Sequence, residues 1–161
     1  MGNRVGVFVD TGNLFYCVSK KWAGRKVDYR ELLRSSIESR EVHRAFAFGT
    51  QVDGAAKKFI KCLHHIGFET HYRDIEKGSW YDWAVGIAIE MIRHHSKVDE
   101  VILGSSNLTM VPVVKWLREN GVTVTVIACG IPRELKEAAD SWTELTEDML
   151  EEIVDASSSA A

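Results

Sequence analysis

The sequence predicts an α/β domain built on a central, mostly parallel sheet flanked by helices. Short apolar runs rich in β-branched residues alternate along the chain with stretches of helical spacing, and such alternation implies parallel crossovers. The 161 residues are 45% hydrophobic and 27% charged, the profile of a globular protein rather than a disordered or fibrous one. The length is that of one ordinary domain, enough to bury roughly two-thirds of the unfolded surface.

The elements follow in order. Val5–Val9 is a short strand ending in Asp10, after which the pattern reads as loop until Asp28, where an acidic first turn and apolar positions at helical spacing open a helix. Val42–Phe48 is a second strand, and residues 53 to 66 form an amphipathic helix stopped by Gly67. Phe68–Arg73 alternates as a third strand and a helix follows from about Asp82 to His95. Glu100–Leu103, a helix from about Met110 to Asn120 ended by Gly121, and the strand Val122–Ile127 complete the alternation. The expected organisation is one domain over residues 1–155 with a disordered Ser/Ala tail at 156–161.

A net charge of -3 excludes a uniformly basic nucleic-acid coat and confines any polyanion to local patches such as Lys57, Lys58 and Lys61. Cys17, Cys62 and Cys129 are odd in number, far apart and form no CxxC pair, which indicates neither a disulfide framework nor a zinc knuckle and predicts buried free thiols. The N-terminal residues show no signal-peptide pattern and no apolar run approaches a membrane span. The expected location is therefore the cytoplasm, with no membrane partner.

Parallel sheets of this kind place their sites in the crevice beyond the strand C-termini. The loops there begin with Asp10-Thr-Gly-Asn13 and Gly104-Ser-Ser-Asn107, so both polar clusters are expected on one edge. Asp10 ends a strand that is apolar on both faces, and its carboxylate needs backbone donors or a cation to compensate it. Asn13 has two readings, a hydrogen-bond partner of Asp10 or of a phosphate, or a cap for the next helix. Ser105, Ser106 and Thr109 lie on a loop leading into a helix N-terminus, where hydroxyls and N–H groups are suited to phosphate.

The segments VFVDTGNLFY and RKVDYRELL resemble the opening of NYN domains of the LabA-like branch. KGSWYDWAVGIAIEMI, VILGSSNLTMVPVVKWL and LKEAADSWTEL are similar to that family's later motifs in the same order, so the likeness runs from about residue 4 to 150. The resemblance implies a PIN-like, Rossmann-like three-layer sandwich and a ribonuclease in which carboxylates hold Mg²⁺ or Mn²⁺ for attack on RNA phosphodiesters. If such cleavage occurs, Asp10 and Glu90 are expected to bind the metal with Asp82 assisting, Asn13 and Asn107 to orient water or phosphate, and Lys77 to neutralise the scissile group.

The chain also departs from that pattern. Asn107 and Thr109 stand where the family has two Asp residues, and Ala84 stands at another. Asp82 is two positions from that acid. If residues 82 to 90 were all helical, Asp82 and Glu90 would lie about 80° apart in azimuth but roughly 12 Å apart along the axis; a loop conformation at Asp82 would let it fold inward instead. Losing carboxylates weakens the grip on a divalent ion, so two readings of the family function stand: a weakened metal-dependent ribonuclease, or an inactive domain that binds RNA or a protein partner. A homo-oligomer is left open. A phosphatase would need D-x-D after the first strand, and neither a Walker loop nor GxGxxG is present.

Other residues have structural readings beside functional ones. Asp140 matches an acid of the family near the site edge and equally suits a cap. His64-His65 and His94-His95 diverge by about 100° on a helix and are expected as surface or half-buried imidazoles. Trp80, Tyr81 and Trp83 suit base stacking or packing over the sheet. Arg73 and Arg93 suit phosphate contacts or a solvated face.

Overall fold

The computed structural model describes residues 3–153. Six strands, β1 (Arg4–Asp10), β2 (Glu41–Gln51), β3 (Glu69–Asp74), β4 (Glu100–Gly104), β5 (Thr123–Ala128) and β6 (Ser141–Glu144), form one sheet in the order β3-β2-β1-β4-β5-β6. Every pairing is parallel. The helices are α1 (Thr11–Lys21), α2 (Tyr29–Ile37), α3 (Lys57–Ile66), α4 (Ala84–His94), α5 (Val111–Glu119) and α6 (Arg133–Ala138). No helix among the described residues is long and apolar enough to cross a membrane.

Right-handed crossovers running outward in both directions from β1 put α1, α2 and α3 on one face of the sheet and α4, α5 and α6 on the other. Contacts of α2 with α3, and of α5 with α4 and α6, agree with that division. The predicted three-layer α/β fold is thus the one found. Burial follows it: Val5, Val7, Phe8 and Val9 of the central β1 are fully buried, as is Leu103 of β4, because a strand covered on both faces has no polar side to spare.

Four differences from the sequence reading have local causes. The stretch after Asp10 is helix α1 and not loop; only Thr11, Leu14 and Val18 are buried on it, and exposed Phe15 and Tyr16 blur its period. α3 begins at Lys57 because Asp53 and Gly54 hold positive φ of 50° and 70° in a turn. α4 begins at Ala84, which leaves Asp82 on the preceding loop. A sixth strand, β6, pairs with β5 although it is short and mostly exposed.

Candidate active site

The strand order reverses between β1 and β4, and the crevice opens at their C-terminal ends. Asp10 is the last residue of β1 and pairs in register with Phe48, one position past the Val9–Gly104 pair. Gly104 lets the two strands approach closely there, since an added Cβ would sit 3.1 Å from Val9 Cγ2 and force that side chain to shift by a few tenths of an ångström. A cleft of about 230 Å³ forms at this edge, lined by Asp10, Gly12, Asn13, Thr50, Asp82 and Asn107 with the aromatic segment Trp80–Trp83.

Asp10 also caps α1. Its Oδ1 accepts the Asn13 N–H at 3.0 Å, at the end of the helix where the dipole favours an anion. Burial raises its pKa above the ordinary carboxylate value and the charge of Asp82 adds to the rise, while the N–H groups of Asn13 and Gly12 oppose it. Both acids therefore border one crevice and feel each other. Asp82 Oδ1 accepts the Ala84 N–H at 2.9 Å and faces Asn107 Nδ2 at 3.4 Å.

The second polar loop is built around its own side chains. Ser105 is buried, and its Oγ accepts the Asn107 N–H at 3.1 Å. The Ser106 N–H and hydroxyl donate to Asn13 Oδ1 at 2.9 and 3.1 Å. Asn107 caps the following turn, its Oδ1 accepting from Thr109 N at 3.0 Å and Thr109 Oγ1 at 2.8 Å. Thr109 thus holds Asn107 with its amide nitrogen toward Asp82.

Ser105, Ser106 and Thr109 support this cleft without lining it, and Glu90 and Lys77 are not brought to it. Glu90 lies two turns down α4, where Arg93 Nη1 stands 2.9 Å from one carboxylate oxygen and His94 Nε2 3.6 Å from the other. Helix α4 runs from the cleft toward the opposite end of the sheet, so the rise of roughly 1.5 Å per residue carries Glu90 away from Asp10; a ligand role for Glu90 is withdrawn. Lys77 is exposed on the turn before α4 and does not line the cleft. Arg93 pairs with Glu90, and Asp140 accepts the Val124 N–H at 2.8 Å and pairs with Arg118 at 3.1 Å, a structural role at the other end of β5.

The aromatic segment divides. Trp83 is half-buried, donates Nε1–H to the Gly49 carbonyl at 2.8 Å and packs on Phe48. Tyr81 sits edge-on to Trp83 with Arg73 over its ring at 4.6 Å, and Trp80 stays 80% exposed beside the cleft. Thr50 lines the cleft too; a lone Thr at a strand end carries no signal in sequence. A larger hollow of about 550 Å³ lies at the starts of β4 and β5, but Glu100 there is committed to Arg40 and Thr125.

Among the described residues no group of three or more His, Cys, Asp and Glu is placed to hold a metal ion. The donor set still fits one kind of ion. Mg²⁺ keeps several waters and takes one or two carboxylates plus substrate phosphate oxygens, which is what Asp10 and Asp82 offer at the mouth of an open cleft.

The chain is a doubly wound parallel α/β domain with two carboxylates lining a cleft at its reversal point, the place where folds of this class bind their ligands. The chain belongs to the NYN domain family, whose model matches residues 4–147, a family of the PIN-like nuclease group. It superposes on a Vibrio parahaemolyticus protein of unknown function with a TM-score of 0.83 and 25% identity, over 92% of this chain and 96% of that one. A Staphylococcus aureus nicotinamidase aligns at 11% identity and a TM-score of 0.40 over 86% of this chain and 92% of that one, too distant a likeness to carry an argument. No curated protein matches the chain closely enough to count as a relative.

Proposed function

We propose that the chain is a weakened, divalent-metal-dependent ribonuclease of the LabA-like branch, acting on single-stranded RNA in the cytoplasm. The observation that carries this reading is the convergence of Asp10 and Asp82 on one cleft at the reversal of the sheet. Asp10 and Asp82 are the residues to hold Mg²⁺ or Mn²⁺. When bound, such an ion neutralises phosphate charge and makes water a better nucleophile.

The chain's own groups do the rest. The N–H groups at the start of α1 and the dipole of that helix oppose the burial that raises the Asp10 pKa. Asn107 Nδ2, steered by Thr109, is a donor beside Asp82 for a phosphate oxygen or a water. Asn13 is tied to Ser106, so it fixes the spacing of the two cleft walls more than it binds substrate. Ser105 acts through the loop it holds.

A second reading is an RNA-binding domain without turnover, supported by the neutral side chains of Asn107 and Thr109, which the motif resemblance aligns with acids. One experiment separates the two: incubation of single-stranded RNA with the purified protein and Mn²⁺, against the Asp10→Asn variant, with calorimetric metal titration of both. Cleavage and metal binding that vanish in the variant support the nuclease. RNA binding without cleavage or metal uptake supports the binding domain, and equal cleavage by both proteins would refute a role for Asp10.

A further inference from the structure

Beside the acidic cleft, and sharing Gly12 and Thr50 with it, lies a second hollow of about 440 Å³. Its walls are mainly aromatic: Phe15 from α1, Tyr29 at the start of α2, Phe59 from α3 and Tyr72 from β3. Tyr29 and Phe59 meet with ring centroids 5.5 Å apart, and Phe59 meets Tyr72 edge-on at 6.5 Å. Phe15 is 62% exposed and Phe59 37%, so these rings are only partly used by the core. Large apolar side chains gathered in a concavity, rather than scattered, mark a binding surface.

The hollow is held open by defined contacts. Thr11 Oγ1 lies 2.8 Å from Tyr72 Oη and donates to the Phe48 carbonyl at 2.9 Å. Gly49 makes this possible, because a Cβ there would lie 2.5 Å from Tyr72 Cζ and 2.6 Å from Thr11 Oγ1. The backbone N–H of Glu151 donates to the Lys26 carbonyl at 2.8 Å, and both residues line the hollow together with Thr11 and Thr50. Aromatic rings lining a concavity next to a cleft that holds two carboxylates suit a flat, partly apolar base joined to a phosphate.

We propose that the aromatic hollow receives an unstacked nucleobase of a single-stranded nucleic acid whose neighbouring phosphate lies at Asp10 and Asp82. The phosphate's position rests on the ribonuclease reading; the base site stands on the hollow itself. Stacking on Phe15 needs only the π-face that every base has, so the site is tolerant of sequence and selective against paired strands. A protein side chain is the competing occupant, and it would show no preference for nucleosides.

The test is an NMR titration of the metal-free protein with adenosine and uridine, and with ribose as the baseless control. Both nucleosides should shift the resonances of Phe59 and Tyr72, with ribose at least about tenfold weaker. Phe15→Ala should weaken nucleoside binding by about 5- to 100-fold, the loss of one stacking partner, while Phe15→Trp should retain it. Phe15 is exposed enough for both variants to fold. Ribose binding as well as adenosine, or Phe15→Ala binding adenosine like the wild type, would overturn the proposal. Cleavage assays keep the two ideas apart. If the wild type cuts RNA and Phe15→Ala leaves KM unchanged, the base site fails and the nuclease stands; if nucleosides bind through Phe15 and nothing is cut, the reverse holds.

Discussion

Asn13 and Ser106, 93 residues apart in sequence, are joined by two hydrogen bonds, the Ser106 N–H and hydroxyl both donating to Asn13 Oδ1 at 2.9 and 3.1 Å. The pair clasps the first turn of α1 to the loop after β4, across the reversal of strand order. Replacing Asn13 by Ala strands a partly buried N–H, and the expected cost is about 1–3 kcal/mol of unfolding free energy. Asn13→Asp keeps an acceptor and should lose less. Urea melts check both, and an Ala variant as stable as the wild type would mean that the clasp contributes nothing.

Asp10 separates activity from stability. Asn is as good a helix cap as Asp, and Asp10→Asn removes a buried charge that Asp82 repels. The melting temperature of the metal-free variant at neutral pH should equal or exceed that of the wild type. Cleavage should fall by at least roughly 100-fold, beyond the loss usual for groups that merely support a metal ligand. A variant that loses activity and stability together would assign Asp10 a structural role instead.

Asn107 is a position at which the cleft can take a further acid. Its amide nitrogen already lies 3.4 Å from Asp82 Oδ1, and Asp in its place can still cap the turn at Thr109. Asn107→Asp alone should tighten Mn²⁺ binding by about tenfold or more and raise cleavage. Thr109→Asp adds little, because Thr109 Oγ1 is turned toward residue 107. Calorimetry decides it, and unchanged metal affinity in Asn107→Asp would count against a two-carboxylate metal site.

His43 and His94 touch at 3.1 Å through Nε2 and Nδ1. Burial lowers both pKa values below the ordinary imidazole value, with the charge of His94 adding to the effect on His43 and that of Arg44 to the effect on His94. A depressed pKa in the fold means that the neutral forms are favoured. Their stability is fully present above the ordinary value of about 6.5 and is lost as pH falls through the lowered values. Melting temperature should therefore decline from pH 7 toward pH 5, and His43→Gln should flatten that decline; an unchanged slope would place its origin elsewhere.

Cys17 of α1 and Cys129 after β5 bring their sulfurs to 2.7 Å, although the spacing in sequence gives no hint of a pair. The expectation of buried thiols holds for Cys129 alone; Cys17 is half-buried and Cys62 exposed. Burial pushes the Cys129 thiol up to about 12, so within this pair an oxidant should react first at the more accessible Cys17. With a hydroperoxide, the Cys17 thiolate takes the terminal oxygen and releases an alcohol. Attack by Cys129 then expels water and leaves a disulfide. Mass spectrometry should find the Cys17–Cys129 bond, and Cys17→Ser should abolish it; a bond through Cys62 instead would contradict the pairing.

Strand positions and the parallel architecture could be read from the chain because hydrophobic period is a local property: Val5–Val9, Val42–Phe48 and Val122–Ile127 announce themselves. Elements that lack a clear period could not. Helix α1 hides behind exposed Phe15 and Tyr16, and β6 carries Trp142 as its one large apolar side chain, itself exposed. The place of Asp10 at the edge of the sheet is legible from its position at the end of an apolar strand. Asp82 reaches the cleft because α4 starts at Ala84 and leaves it on the preceding loop, whereas Glu90, two turns into α4, does not line that cleft; neither placement is carried by a local pattern.

Residue order alone was sufficient for the layer architecture and for the edge of the sheet where the polar loops gather, since both follow from periodicity and the handedness of crossovers. Which acids share a cleft, which cysteines touch and where aromatic rings leave a hollow depended on helix starts and packing between segments distant in the chain. Those contacts form only when the sheet closes around β1, and no local pattern encodes them.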